Sequence, residues 1–332
     1  MPPWFNWCLL GLALLVHIAS GQVRPAADLQ DALQILGATK FLQKLKEAGL
    51  SHILYNGDRY TLFAPTNEAF SRLEARALHS RTGALSQDAL KEVLLYHVAY
   101  SEWKSGDWIN DQLIPTALPG MNIRVNMYEP RHGRKGAENI ITLCGVQVLS
   151  SNNRAGNGIV HVLNDAIYPM ASASAYDTLA SVPELTRFKS LLDEANMMRP
   201  LKYEEPLTVF APVNDAFKKL PPQFMDNMSS QLTAMAAVLN YHLVNGTFYS
   251  AGLFRKERLH TMESSDITVA AAADDGHSAK LNGDVTILKT YPTTNGVLHL
   301  VDTLLLPPAH PKQMFYAAKE GLQHDVQMRK RK

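Results

Sequence analysis

The chain has little cysteine, almost no net charge and no apolar run of membrane length. Only Cys8 and Cys144 occur in 332 residues, too few for a disulfide framework, so stability has to come from packed cores. Thirty-two basic residues stand against 31 acidic ones, for a net charge of +1. That balance excludes the whole-protein positive field of a nucleic-acid binder. H-E-x-x-H, G-x-S-x-G, C-x-x-C and the P-loop are all missing, and with them the common sequence signals of metal-assisted, nucleophilic, redox and phosphate chemistry. Gly156-Asn-Gly158 is a broken glycine pattern ahead of a strand, and Asp274-Asp275-Gly276 lacks the alternating oxygens of a calcium loop. The twelve histidines show no metal-ligand spacing. No catalytic, cofactor-binding or metal residue is predicted, and the chain is not expected to be an enzyme. Arg-Gly-Asp is also missing, which excludes integrin contact through that tripeptide.

The longest apolar stretch, Cys8 to Val16, is short for a bilayer span and ends in small residues. Ala19-Ser20-Gly21 offers a cleavage site, so residues 1–21 are read as a signal peptide and the protein as secreted. The first charged side chain is Arg24, which leaves a retained signal anchor open. The terminus Gln327-Met-Arg-Lys-Arg-Lys332 is basic, the opposite of a lipid-anchor signal. Residues 309–332 are assigned to a solvated basic tail.

What the chain does have is itself, twice. Thr61-Leu-Phe-Ala-Pro-Thr-Asn-Glu-Ala-Phe70 returns as Thr208-Val-Phe-Ala-Pro-Val-Asn-Asp-Ala-Phe217. Tyr96-His97 returns as Tyr241-His242, and Asn157-Gly-Ile-Val-His161 as Asn295-Gly-Val-Leu-His299. Phe41 corresponds to Phe188. The spacing falls from 147 to 145 to 138 residues along the chain, so the first copy carries extra length, mostly between Asn122 and Cys144. The period is that of a domain rather than a solenoid repeat. Two domains follow, over 28–170 and 173–308, joined near Pro183 and the Ala/Ser stretch at 171–175.

Each copy mixes helix and strand. Arg59 to Phe63 and Pro206 to Phe210 are β-branched and aromatic runs ending at a proline. The next asparagine, Asn67 or Asn214, reads as the N-cap of the following helix. Leu90, Val93, Leu94 and His97 fall on one helical stripe, as do Met235, Val238, Leu239 and His242. Asn122 to Met127 alternates like a half-buried strand, and Asn282-Gly283 signals a tight hairpin. Ile159 to Leu163 and Val297 to Val301 are apolar on both faces, as central strands are.

The T-x-F-A-P-x-N-x-A-F segment, the Tyr-His pair and the closing N-G-[IV]-[VL]-H-[VL] strand, each present twice, resemble the fasciclin-like domain family. The resemblance implies an α+β fold of two tandem fasciclin-like domains, each a β-sandwich or wedge with packed helices. It implies a secreted, non-enzymatic cell-adhesion or extracellular-matrix protein. Its partners would be a cell-surface receptor of integrin type and matrix proteins such as collagen. The alternative reading is a soluble extracellular carrier or scaffold for a glycan or small ligand.

Tyr96, His97, Tyr241 and His242 are the residues the family associates with cell attachment, yet a histidine on an apolar stripe reads as a hydrogen-bonded core residue. His161 and His299 read the same way. Arg131, Arg134 and Lys135 sit beside His132 in a loop within the extra length, and form either a grip for sulfated glycans or an ordinary solvated loop. Cys144 aligns with the hairpin asparagine Asn282, so it is expected at an exposed turn, forming an intermolecular disulfide and a linked dimer or remaining free. Asn227-Met-Ser229 and Asn245-Gly-Thr247 are N-glycosylation sequons.

Overall fold

A computed structural model describes residues 26–55, 57–78, 86–130, 139–169, 173–220, 224, 231–271 and 279–308. The expected signal peptide, the basic tail, Arg131, Arg134, Lys135 and Asn227 lie outside the described residues.

The first copy opens with helices α1 (Leu29–Ile35), α2 (Thr39–Glu47) and α3 (His52–Tyr55), then strand β1 (Tyr60–Pro65). Helices α4 (Asn67–Leu78) and α5 (Gln87–Tyr96) lead into β2 (Val98–Tyr100), β3 (Leu113–Pro115), β4 (Asn122–Tyr128), β5 (Ile140–Leu143), β6 (Val146–Ala155) and β7 (Gly158–Leu163). The second copy repeats the plan with α6 (Ala175–Ser181), α7 (Thr186–Glu194), α8 (Met198–Tyr203), β8 (Leu207–Pro212), α9 (Asn214–Lys218) and α10 (Leu232–Tyr241). It continues with β9 (Leu243–Asn245), α11 (Ser250–Leu253), β10 (Arg258–His260), β11 (Asp266–Ala271), β12 (Ala279–Leu281), β13 (Val285–Thr293) and β14 (Gly296–Val301).

The sheets run β2-β1-β7-β6-β5-β4-β3 and β9-β8-β14-β13-β12-β11-β10. In each, the T-x-F-A-P strand and the N-G strand pair in parallel at the centre, and every other pairing is antiparallel. The sheet also bends back towards itself: the Ala117 amide donates to Val98 O at 2.7 Å, and Met262 to Leu243 O at 2.8 Å. The result is a barrel-like wedge.

The central strands are buried on both faces, and their period of two divides each domain into two cores. Leu62, Ala64 and Val160 meet the helices through Phe41, Leu45 and Phe70. Phe63 and Leu163 point the other way, into Tyr96, Ile114, Val125 and Leu143. Val209 and Phe210 part in the same manner in the second copy.

The repeated motifs have local work that explains their recurrence. Asn157 accepts from the Leu29 amide and donates to Leu54 O; Asn295 accepts from the Ala175 amide and donates to Leu201 O and Glu204 O. Each stitches the first helices to the central strands. The following glycine permits a close strand approach, since a Cβ on Gly158 would lie 2.0 Å from Tyr60 O and one on Gly296 1.8 Å from Leu207 O.

Asn67 and Asn214 depart from expectation. Neither caps its own helix. Asn67 accepts from the Lys40 amide at 2.9 Å, and Asn214 from the Arg187 amide at 2.9 Å. They cap α2 and α7, which lack a side-chain cap of their own.

Candidate functional site

Both Tyr-His pairs are inside the molecule. Tyr96 and His97 are 2% and 0% exposed, Tyr241 and His242 1% and 0%. Each pair ends a helix, so the ring of the histidine faces the helical core and the tyrosine faces the other. His97 Nδ1 donates to Val93 O at 2.7 Å, while Nε2 accepts from the Ile167 amide at 3.1 Å. His242 copies this with Val238 O at 2.7 Å and the Leu305 amide at 3.1 Å. One nitrogen must donate and the other accept, so each ring is held as one neutral tautomer. His161 and His299 are held in the opposite tautomer, donating from Nε2 to Trp103 O and Phe248 O. Burial pushes all four rings down to about 4.

The Tyr96 hydroxyl donates to Asn122 O at 2.8 Å, which leaves its oxygen to accept from the Cys144 thiol at 3.3 Å. The Tyr241 hydroxyl donates to Asp266 O at 2.9 Å and accepts from Asn282 Nδ2 at 3.0 Å. The thiol and the carboxamide therefore occupy one structural position. The Arg124 amide donates to the Cys144 sulfur at 3.4 Å where the Thr268 amide donates to Asn282 Oδ1 at 3.0 Å. Both residues have φ of 49° and precede a positive-φ glycine.

The expectation of an exposed Cys144 is corrected by this geometry. The residue is half-buried, and desolvation pushes its thiol up from the ordinary range, which suppresses the thiolate needed for disulfide exchange. The physical reason is that the first copy's hairpin turn is covered by the second domain. A cavity of about 90 Å³ beside the sulfur leaves room for a larger group. Cys144→Asn is therefore expected to hold the melting temperature within a few degrees. Cys144→Val, which strands the Tyr96 oxygen and the Arg124 amide, should cost about 1–3 kcal/mol, measured by urea unfolding.

The cover over Cys144 belongs to a joint between the domains that the motifs did not announce. The Tyr249 ring lies over Gly145, where a Cβ would come within 2.6 Å of it, and the Tyr128 ring lies over Gly252, where a Cβ would come within 2.3 Å. Each domain thus seats a tyrosine on the other domain's glycine. The Tyr128 hydroxyl donates to Thr247 O at 2.9 Å and accepts from the Tyr249 amide at 3.2 Å. Arg124 is 5% exposed. Its guanidinium donates to Thr294 O at 2.8 Å and to Glu205 at 3.0 Å, and stands 3.8 Å from Asp111. Its charge is therefore paired from both domains, as a buried cation requires.

Arg124 and Asn126 were expected on the wet face of an alternating strand, but β4 is buried nearly throughout because its outer face meets the second domain. The available signal was the break in the repeat: Thr268 replaces Arg124, and Lys104 replaces Tyr249. Asn245 is exposed at the end of β9. Among the described residues no group of His, Cys, Asp and Glu is arranged for a metal ion, and no helix is long and apolar enough to cross a membrane.

With this geometry in place, the comparison with protein-family models gives the class. The Fasciclin domain matches twice, at residues 36–169 and 183–307. The chain belongs to the fasciclin domain family. It is 26% identical to human periostin over 302 residues, covering 90% of this chain and 34% of periostin. It is 23% identical to the pig transforming growth factor-beta-induced protein ig-h3 over 301 residues, covering 90% of this chain and 42% of that protein. The chain therefore spans well under half the length of these relatives. The cell surface glycolipoprotein MPB83 of Mycobacterium bovis matches at 30% over 166 residues, half of this chain and 71% of that one. A solved domain pair from the insect cell adhesion molecule fasciclin I covers 82% of this chain and 97% of that one, at 19% identity and a TM-score of 0.37.

Proposed function

We propose that the protein is a secreted, non-enzymatic adhesion or matrix protein whose two fasciclin domains act together on a cell-surface receptor and matrix components. The observation that supports this best is the doubled family domain docked through a closed joint, since two linked surfaces raise avidity without a deep site in either. The receptor would be of integrin type, reached without Arg-Gly-Asp. Collagen and sulfated glycans are the matrix partners we propose, the latter through Arg131, Arg134 and Lys135.

A ligand carrier would be expected to enclose an apolar cavity of several hundred Å³. Two depressions along the domain seam, of about 440 and 320 Å³, are open grooves rather than enclosed cavities. Polar Asn139, Gln147, Ser151 and Arg255 share the lining of the first with Ile140, Ile141 and Leu149. That favours adhesion over carriage.

The test is attachment of cells to surfaces coated with residues 22–332, with and without a divalent-cation chelator. Chelator-sensitive attachment is expected; none at any coating density sinks the proposal. Because the Tyr-His pairs are sealed in the core, His97→Ala and His242→Ala should reduce attachment only as far as they reduce the folded fraction. Attachment lost at an unchanged melting curve would instead give these residues a direct role.

A further inference from the structure

The fold treats the two ends of the Asn245-Gly-Thr247 sequon in opposite ways. Asn245 is exposed, with its backbone paired to Leu207. Thr247 is 2% exposed, its carbonyl taken by the Tyr128 hydroxyl of the first domain, and its own hydroxyl is buried without a hydrogen-bond partner. Between them the Gly246 amide donates to Pro206 O at 2.8 Å.

We propose that Asn245 is an N-glycan acceptor that can be modified only before the two domains dock, an inference that rests on the secretion reading above. In the transfer step the Asn245 carboxamide nitrogen forms a bond to the anomeric carbon of an oligosaccharide carried on a polyprenyl pyrophosphate. The bond from that carbon to the pyrophosphate oxygen breaks, the lipid pyrophosphate leaves with the electron pair, and the amide proton passes to a base of the transferase. The sequon pattern demands Ser or Thr at its third position because the transferase reads that hydroxyl together with the amide. In the docked protein the hydroxyl of Thr247 is sealed and the segment is fixed by β9 pairing and by Tyr128. The folded chain is therefore no substrate.

The product, in contrast, fits the folded chain. The Asn245 side chain faces solvent, so a glycan displaces no core group and leaves the joint intact. Modification before folding and tolerance after it are both satisfied by one arrangement: an open asparagine and a closed threonine.

The deciding experiment expresses the full chain in mammalian cells and maps glycopeptides from the medium, with Asn245→Gln and Asn227→Gln as companions. A glycosidase-sensitive mass on the Asn245 peptide, lost in Asn245→Gln and kept in Asn227→Gln, is expected. An unmodified Asn245 peptide in secreted material overturns the proposal while leaving secretion standing. If no chain reaches the medium, the secretion reading fails, and residues 22–332 are driven into microsomes behind a generic signal sequence, where occupancy of Asn245 decides the question. Timing is tested separately. Folded, aglycosylated chain from bacteria is incubated with microsomal transferase and donor, beside a peptide covering 240–252. The peptide should be modified and the folded chain should not; modification of the folded chain at Asn245 overturns the timing.

Discussion

Acidification from pH 6.5 to about pH 4.5 is expected to unfold the protein, with uptake of about three protons as it does so. His97, His161, His242 and His299 are buried as fixed neutral tautomers, and burial lowers each to about 4. An unfolded histidine titrates near 6.5, so between these values the unfolded chain binds more protons than the folded one. Stability therefore rises with pH in that window: it is fully present above about 6.5 and is lost as pH falls towards 4. Each proton taken up contributes about 1.4 kcal/mol per pH unit. Four histidines near pH 5 give about 5 kcal/mol per pH unit, against a typical total stability of 5–15 kcal/mol. Protonation would also set a second N–H against the Ile167 or Leu305 amide, so no local rearrangement relieves the charge cheaply. Urea midpoints measured from pH 7.5 to 4.5 check this. A midpoint that stays flat between 6.5 and 4.5 would show that the rings are not held neutral.

Tyr128→Ala is expected to cost about 3–5 kcal/mol, the range for removing a large buried aromatic ring, and to split one unfolding transition into two. The ring fills the space over Gly252, and its hydroxyl serves both Thr247 O and the Tyr249 amide. Without it Tyr249 loses an amide partner and its seat over Gly145 loosens. The covered thiol reports the same event. In the native protein Cys144 should react with a maleimide far more slowly than a free thiol, and in Tyr128→Ala the rate should rise at least tenfold. Equal labelling rates would mean that the joint opens freely without the mutation. Gly252→Ala offers a smaller perturbation of the same contact, because its Cβ would collide with the Tyr128 ring while leaving the second domain's core residues in place.

Much of each domain was legible in the chain. Central strands announced themselves as apolar runs without alternation, and the histidines lay on stripes whose other members are core residues. The N-cap reading of Asn67 failed because a cap signal says that a helix start is near without saying which one; α2, more than twenty residues upstream in sequence, is adjacent in space. Cys144 was placed on the right turn by alignment with Asn282, yet its exposure was misread. Turn chemistry specifies backbone angles and is silent about what docks on the turn. The joint was harder still. Arg124, Tyr128 and Tyr249 carry no local pattern, since their partners across the joint lie 81 to 170 positions away. Only the comparison of copy with copy marks them, as places where the repeat stops repeating.

That asymmetry between the copies has a consequence for assembly. Where the second domain offers Tyr249 and Gly252 to its neighbour, the first carries Lys104 and Asp107, both charged and exposed. Where the first domain receives them with Arg124 and a covered Gly145, the second presents exposed Thr268 and a Gly283 with nothing within 4 Å. A head-to-tail contact of this kind, repeated from one molecule to the next, would generate an open filament. Among the described residues the surface that gives and the surface that receives meet one another, so this contact is satisfied within the chain rather than between molecules.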